Sequence, residues 1–399
     1  MALPVTIISS PGIAGNQPPF KSSGGAYYAI VDGGGGGAGI DAYKATDPSD
    51  SFSVQDAANN PAVTPLILEV KQRGDLLHLA YTVTAVFTNF YAVFDMSDDT
   101  WGAIDEEIEN PTDNPILGWI SLDARSDGDV VAVYNGDHDR VMGGDKQRVD
   151  VNVRSGSPPT WSGPTSLDIG ADFHYGNPNI VKRNATDDMH ILWQQTANTD
   201  DPPTAWLRAE GRTIRPDDSL STSVQSLVNV TIDELVGVPN IAHVNGVAAG
   251  LQPAANQATN NFISAEEDAS DDVNTVTSSS AGQTADPAID GEFGINTIVG
   301  DGDTAFHAMW SGGGTAGVDR DIYYATSTDG EIWTGEVEEL DGVTCNFISA
   351  NIYVRGADTV MAYVYDDGGV VKYNEKVLIA GAAPFLPFYP KRPNVLLRM

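Results

Sequence analysis

The chain has 399 residues and a formal net charge of −34, from 55 acidic and 21 basic side chains. A field of that sign repels nucleic acid and anionic membrane, and so argues against partners of either kind. A single cysteine, Cys345, excludes an intrachain disulfide and reads as a small buried hydrophobe.

Abundant Asp and 41 glycines suit turn-rich β structure, where Asx turns are common, and disfavour long helices. The acid-rich, Lys-poor balance fits two settings: an ordinary acidic extracellular or virion protein, or a protein kept soluble in strong brine, as in halophiles. The opening MALPVTIISSPG has no basic region and carries Pro4, so it does not read as a secretory signal. No apolar run reaches the length of a membrane-spanning helix.

In chain order, the first β stretch is PVTIISS at 4–10, isolated from the other strands. Beyond it a unit recurs: a Gly/Asp turn, then an apolar strand ending on a large side chain. The end points are Tyr28, Tyr81, Tyr134, Trp193, Leu251 in a weak copy, Trp310 and Tyr363, spaced 53 to 59 residues apart. A repeat of this period made of short strands predicts a β-propeller.

Each unit reads as four antiparallel strands. The inner strand is clear in GWISLDA, NIVKRNA and NIYVRGA. The second ends near the aromatic. The third ends before a Trp turn, and GAIDEEIE and GEVEELD read as outer strands. The expected fold is therefore all-β: a seven-bladed propeller over 1–379, with 4–10 closing the ring as the outer strand of the last blade. His78, His190 and His307 each lie three residues before their aromatic. Recurrence in several units assigns them to blade architecture rather than catalysis.

The best copy of the third-strand turn is DIYYATSTDGEIW at 321–333. It resembles the Asp-box of sialidase-like β-propellers in the short form S-x-D-G-x-x-W, with weaker copies ending on Trp101 and Trp161. A working sialidase would carry an Arg cluster, a Tyr–Glu nucleophile pair and an Asp acid/base. The family's inner-strand F-R-I-P or Y-R-I-P motif is absent. Arg73, Arg125, Arg183 and Arg355 fall in or beside turns between inner and second strands, on the face opposite the family's active site.

The loop after the second strand of the third unit, NGDHDRVMGGDKQR, is rich in functional groups. Asp137, His138, Asp139, Arg140 and Arg148, with Arg320 from the equivalent loop of the sixth unit, are the candidate ligand-binding residues. No catalytic pair stands out among 55 acids, and no metal-ligand set follows a recognised spacing. No cofactor is implied; calcium is the one ion that the Asp-rich turns DARSDGD, GDGD and EEDASDD would suit.

The final stretch, 380–399, carries four prolines and falls outside the repeat. It predicts an extended arm, with Phe385, Phe388, Tyr389, Lys391, Arg392 and Leu397 docking on a partner. These readings favour a non-catalytic structural or receptor-facing propeller of a tailed-virus particle. Such a component would be oligomeric in its assembly, would bind other virion proteins through the arm and would contact host-surface glycan. The alternative is a sialidase-like glycoside hydrolase or a carbohydrate-binding lectin, located outside the cell.

Overall fold

A computed structural model describes residues 3–9, 17–33, 39–65, 67–83, 88–108, 120–137, 147–167, 174–183, 186–196, 208–221, 225–226, 240–244, 247–253, 260–267, 270–279, 296–301, 304–315, 319–330, 332–334 and 337–379. The arm residues Phe385, Phe388, Tyr389, Lys391, Arg392 and Leu397 lie outside these.

Among the described residues every regular element is a β-strand, and the strands form seven antiparallel sheets. The inner strands are Phe20–Lys21, Ile67–Arg73, Ile120–Ala124, His174–Lys182, Asn240–Val244, Asn296–Gly300 and Cys345–Arg355. A polar pocket of about 220 Å³ is lined by Phe20, Val70, Asp123, Val181, His243, Ile298 and Ala350, one residue from each of those seven strands. The sheets therefore surround a common axis, and the molecule is a β-propeller. In the last blade Val5–Ser9 pairs antiparallel with Val370–Ile379, so the chain's first strand is the outer strand of its last sheet.

The side chains that end the repeat sit on the second strand of each sheet. Tyr28 pairs with Phe20, Tyr81 with Leu68, Tyr134 with Ile120, Trp310 with Asn296 and Tyr363 with Ala350. Leu251 holds the same place opposite Asn240. All six aromatics, Trp193 included, are buried.

One such sheet is apolar on both faces and cannot stand in water alone; stacking on a neighbour removes the exposure. The core accordingly lies between sheets. Tyr28 and Ile30 of blade 1 pack with Leu79 and Phe94 of blade 2. Val131 and Val133 of blade 3 pack with Ile191 and Trp193 of blade 4. Ile7 and Val31 meet Ala362 and Tyr373 across the closure between blades 7 and 1. Cys345 is buried, its Sγ 3.3 Å from the Phe347 carbonyl.

The turn at 327–333 is built by its own side chains. The Ser327 hydroxyl donates to Asp329 and accepts the Gly330 N–H at 2.8 Å. Gly330 has φ of 74°, a conformation that costs glycine little. Trp333 then donates from Nε1 to the Gly330 carbonyl and packs with Val244 of the preceding blade. Trp101 and Trp161 occupy matching places, against Tyr28 and Phe94, and against Tyr91.

The outer strand of blade 2 differs from the sequence reading. It is two short pieces, Thr100–Trp101 and Glu106–Glu107, both paired with Thr88–Asp95. Asp105, with φ of 53°, breaks it, and its carboxylate takes the Tyr81 hydroxyl at 2.6 Å.

Candidate functional site: two faces of the disc

Loops joining second to third strands open on one face. Of the residues expected to bind ligand there, Asp137 ends its strand opposite Gln147. His138, Asp139 and Arg140 lie outside the described residues. Arg148 is buried, and its Nε donates to Asp150 at 2.6 Å. Asp150 has no exposed surface, so the guanidinium supplies the counter-charge that burial requires. Arg320 pairs through its backbone with Val343.

The floor of this face is more polar than the sequence suggested. Asp32, Thr82, Asn135, Glu210 and Asp366 are buried at the ends of the second and third strands, beside the strand aromatics. Thr82 donates to Asn89 at 2.7 Å. Asp41 accepts from Asn60 at 2.7 Å. Burial raises the Asp41 carboxyl above its ordinary value and the Asn60 bond only partly offsets this, which suits a proton donor.

The opposite face carries the turns between inner and second strands. Of the four arginines read as misplaced for catalysis, three join blade to blade there, and Arg355 pairs with Glu375 of its own blade. Arg73 of blade 2 pairs with Asp123 of blade 3 at 2.5 Å, and Arg125 of blade 3 with Asp218 of blade 4 at 2.7 Å. Arg183 of blade 4 pairs with Glu267 and Asp271 of blade 5 at 3.0 and 2.8 Å. Arg215 of blade 4 pairs with Asp272 of blade 5. Asp123, Glu267, Asp271 and Asp272, from two of the three turns considered for calcium, are thus engaged by arginine. Asp301 is likewise engaged, accepting Thr304 and Ala305 N–H groups.

Between blades 4 and 5 this face holds a constellation that the sequence reading missed. His190 comes from a second strand, His243 from the next inner strand and Glu267 from the end of a third strand. Glu267 Oε1 lies 2.7 Å from His190 Nε2 and 2.8 Å from His243 Nε2. Burial alone would raise the Glu267 carboxyl; the two imidazoles outweigh it and hold the group well below the usual carboxylate range. His190 Nδ1 lies 3.0 Å from Thr213 Oγ1, which accepts the Val273 N–H. His243 also lines the axial pocket.

Repeat position assigned His190 correctly to the strand place of His78 and His307, whose Nδ1 atoms each sit 2.8 Å from a tyrosine hydroxyl. Its partners could not be read, because they come from the weakest repeat. Glu267 stood within the acidic turn EEDASDD, where nothing marked it apart from its neighbours.

No protein-family model and no curated protein matches the chain. Solved structures do. An ulvan lyase, a polysaccharide lyase bound to a GlcA(1-4)Rha3S unit, matches with a TM-score of 0.59 at 10% identity, over 93% of this chain and 95% of its own. An α-L-arabinanase of Penicillium chrysogenum complexed with arabinobiose matches at 0.50 and 13% identity, over 94% and 98%. The polysaccharide lyase Uly1 matches at 0.50 and 9%, over 92% and 90%. At such identity the likeness establishes the fold: this chain shares the propeller architecture of several carbohydrate-active enzymes.

Proposed function

We propose that the protein is a carbohydrate-active propeller that engages a neutral glycan on the face formed by the second-to-third-strand loops. The observation that carries this reading is the end-to-end likeness to an ulvan lyase, over 93% of this chain. The polar floor of that face supports it: Asp32, Thr82, Asn135, Glu210 and Asp366 lie at strand ends beneath the loops that would meet the sugar.

Charge narrows the ligand. A net charge of −34 opposes approach of a uronate or sulfated polymer. The arabinanase offers the nearer chemical analogy, because its arabinobiose carries no charge.

Incubation of the pure protein with a panel of neutral and anionic polysaccharides tests the proposal. Release of reducing ends from a neutral polymer is the expected result. Unsaturated uronate products would instead establish lyase chemistry, and glycan-array binding without turnover a lectin. Absence of both turnover and binding refutes the proposal. A glycan-binding propeller carried on a virus particle would satisfy the composition as well. Detection of the chain in purified particles tests that location.

A further inference from the structure

Glu267 Oε1 faces more donors than one oxygen accommodates. His190 Nε2, His243 Nε2 and Arg183 Nε all lie within 3.0 Å of it. A carboxylate oxygen has two lone-pair sites, so three nitrogen donors over-subscribe it. At the matching position of blades 2 and 6 a lone imidazole meets a tyrosine hydroxyl. A structural hydrogen bond therefore needs one histidine, and here two converge with a carboxylate from three strands of two blades.

We propose that His190, His243 and Glu267 form a binding site for a divalent cation of the zinc class. Their three ligand atoms lie within 4.8 Å of one another, and among the described residues they form the one His/Cys/Asp/Glu group so placed. Two imidazole nitrogens and one carboxylate oxygen suit zinc, and a fourth position stays open for water. Zinc bonds of about 2.0–2.2 Å in a tetrahedron set the ligand atoms roughly 3.3 Å apart. The His190–Glu267 and His243–Glu267 gaps of 2.7 and 2.8 Å then open by about 0.5 Å.

The surroundings fit that role. Thr213 Oγ1, 3.0 Å from His190 Nδ1, accepts the hydrogen bond of an Nδ1–H, which leaves Nε2 free for the metal. Arg183 Nε reaches the second Glu267 oxygen at 3.0 Å and orients the carboxylate. Asp271, 2.8 Å from Arg183, offsets the guanidinium charge beside the ion. His243 lines the axial pocket and gives an ion a route inward.

The test uses untagged full-length protein, stripped with chelator, desalted and titrated with zinc chloride against a chromophoric competitor. One zinc per chain is expected, and cobalt in its place should show the intense visible bands of tetrahedral coordination. The double variant His190→Gln/His243→Gln should lose the site. Thr213→Val should weaken binding by about tenfold to a hundredfold. His78→Gln, altered at the matching position of another blade, should bind as the parent does. Circular dichroism confirms that each variant is folded. Failure of the parent to bind one zinc in this titration, or equal binding by the folded double variant, overturns the proposal. The parent measurement stands even if the double variant does not fold.

Discussion

The first strand closes the ring, and a single side chain probes how firmly. Ile7 is 6% exposed and lies among Ala29, Val31, Phe347, Val364 and Tyr373, where blade 7 meets blade 1. Ile7→Ala removes three carbons. At about 0.8 kcal/mol per buried methylene, the lost transfer term is roughly 2.4 kcal/mol. A residual cavity adds to it, for a total of about 3 kcal/mol, inside the range of about 2–5 for such truncations. Over 399 residues, an unfolding entropy of about 2.1 cal/mol/K per residue gives roughly 0.8 kcal/mol/K. The melting temperature should then fall by roughly 3–4 °C in differential scanning calorimetry. Val354→Ala, at a side chain 58% exposed, is the control and should melt as the parent does. If Ile7→Ala also melts with the parent, the first strand is not seated on Val370–Ile379 and the closure is misassigned.

Trp333→Ala should cost about 3–5 kcal/mol by denaturant titration, because the indole fills the space between blades 5 and 6. Glycan binding on the far face should survive it. A net charge of −34 repels itself over about 30 Å in 0.01 M salt but only about 3 Å in 1 M, so the melting temperature should climb with KCl; a flat profile refutes the brine reading. Burial drives His78 from its ordinary 6.5 down to about 4, against the opposing pull of Asp123. Between those values the unfolded chain binds the extra proton, so stability should fall as pH drops from about 6.5 to about 4. His78→Gln should shallow the slope of melting temperature against pH in that window; an unaltered slope counts against a neutral buried imidazole.

Most of the architecture was legible in the sequence, because a propeller repeats its physics. Every sheet needs a large apolar side chain near the end of its second strand, and that demand printed Tyr28, Tyr81, Tyr134, Trp193, Trp310 and Tyr363 at near-constant steps. The outer strands were harder. Several are only two or three residues long, such as Ser53–Gln55, Thr160–Trp161 and Thr165–Ser166, too short to show a periodicity, and Asp105 breaks another. The site was harder still. His190, His243 and Glu267 meet through contacts across a blade interface, the first and last 77 positions apart in the chain. Strand periodicity reports which way a side chain faces within its own sheet, not what the next sheet places against it. Arg148 read as a candidate ligand-binding residue at the end of a loop; Asp150, two residues on, lies on the same strand and shares its side, and the two pair.

The arginines that join blades 2 to 3, 3 to 4 and 4 to 5 constrain which blade can sit beside which. Repeat proteins grow and shrink by duplication and loss of whole units, and near-identical sheets tolerate such exchange. Here each arginine reaches a carboxylate placed differently in the next unit: an inner-strand Asp123, an outer-turn Asp218, a third-strand Glu267. Deleting or copying the unit after blade 3 would leave Arg125, whose side chain has no exposed surface, facing the wrong neighbour, at a cost of several kcal/mol. The ion pairs thus make these three interfaces non-interchangeable: each blade carries the partner that only its own neighbour needs, so the order of the blades is written into their edges.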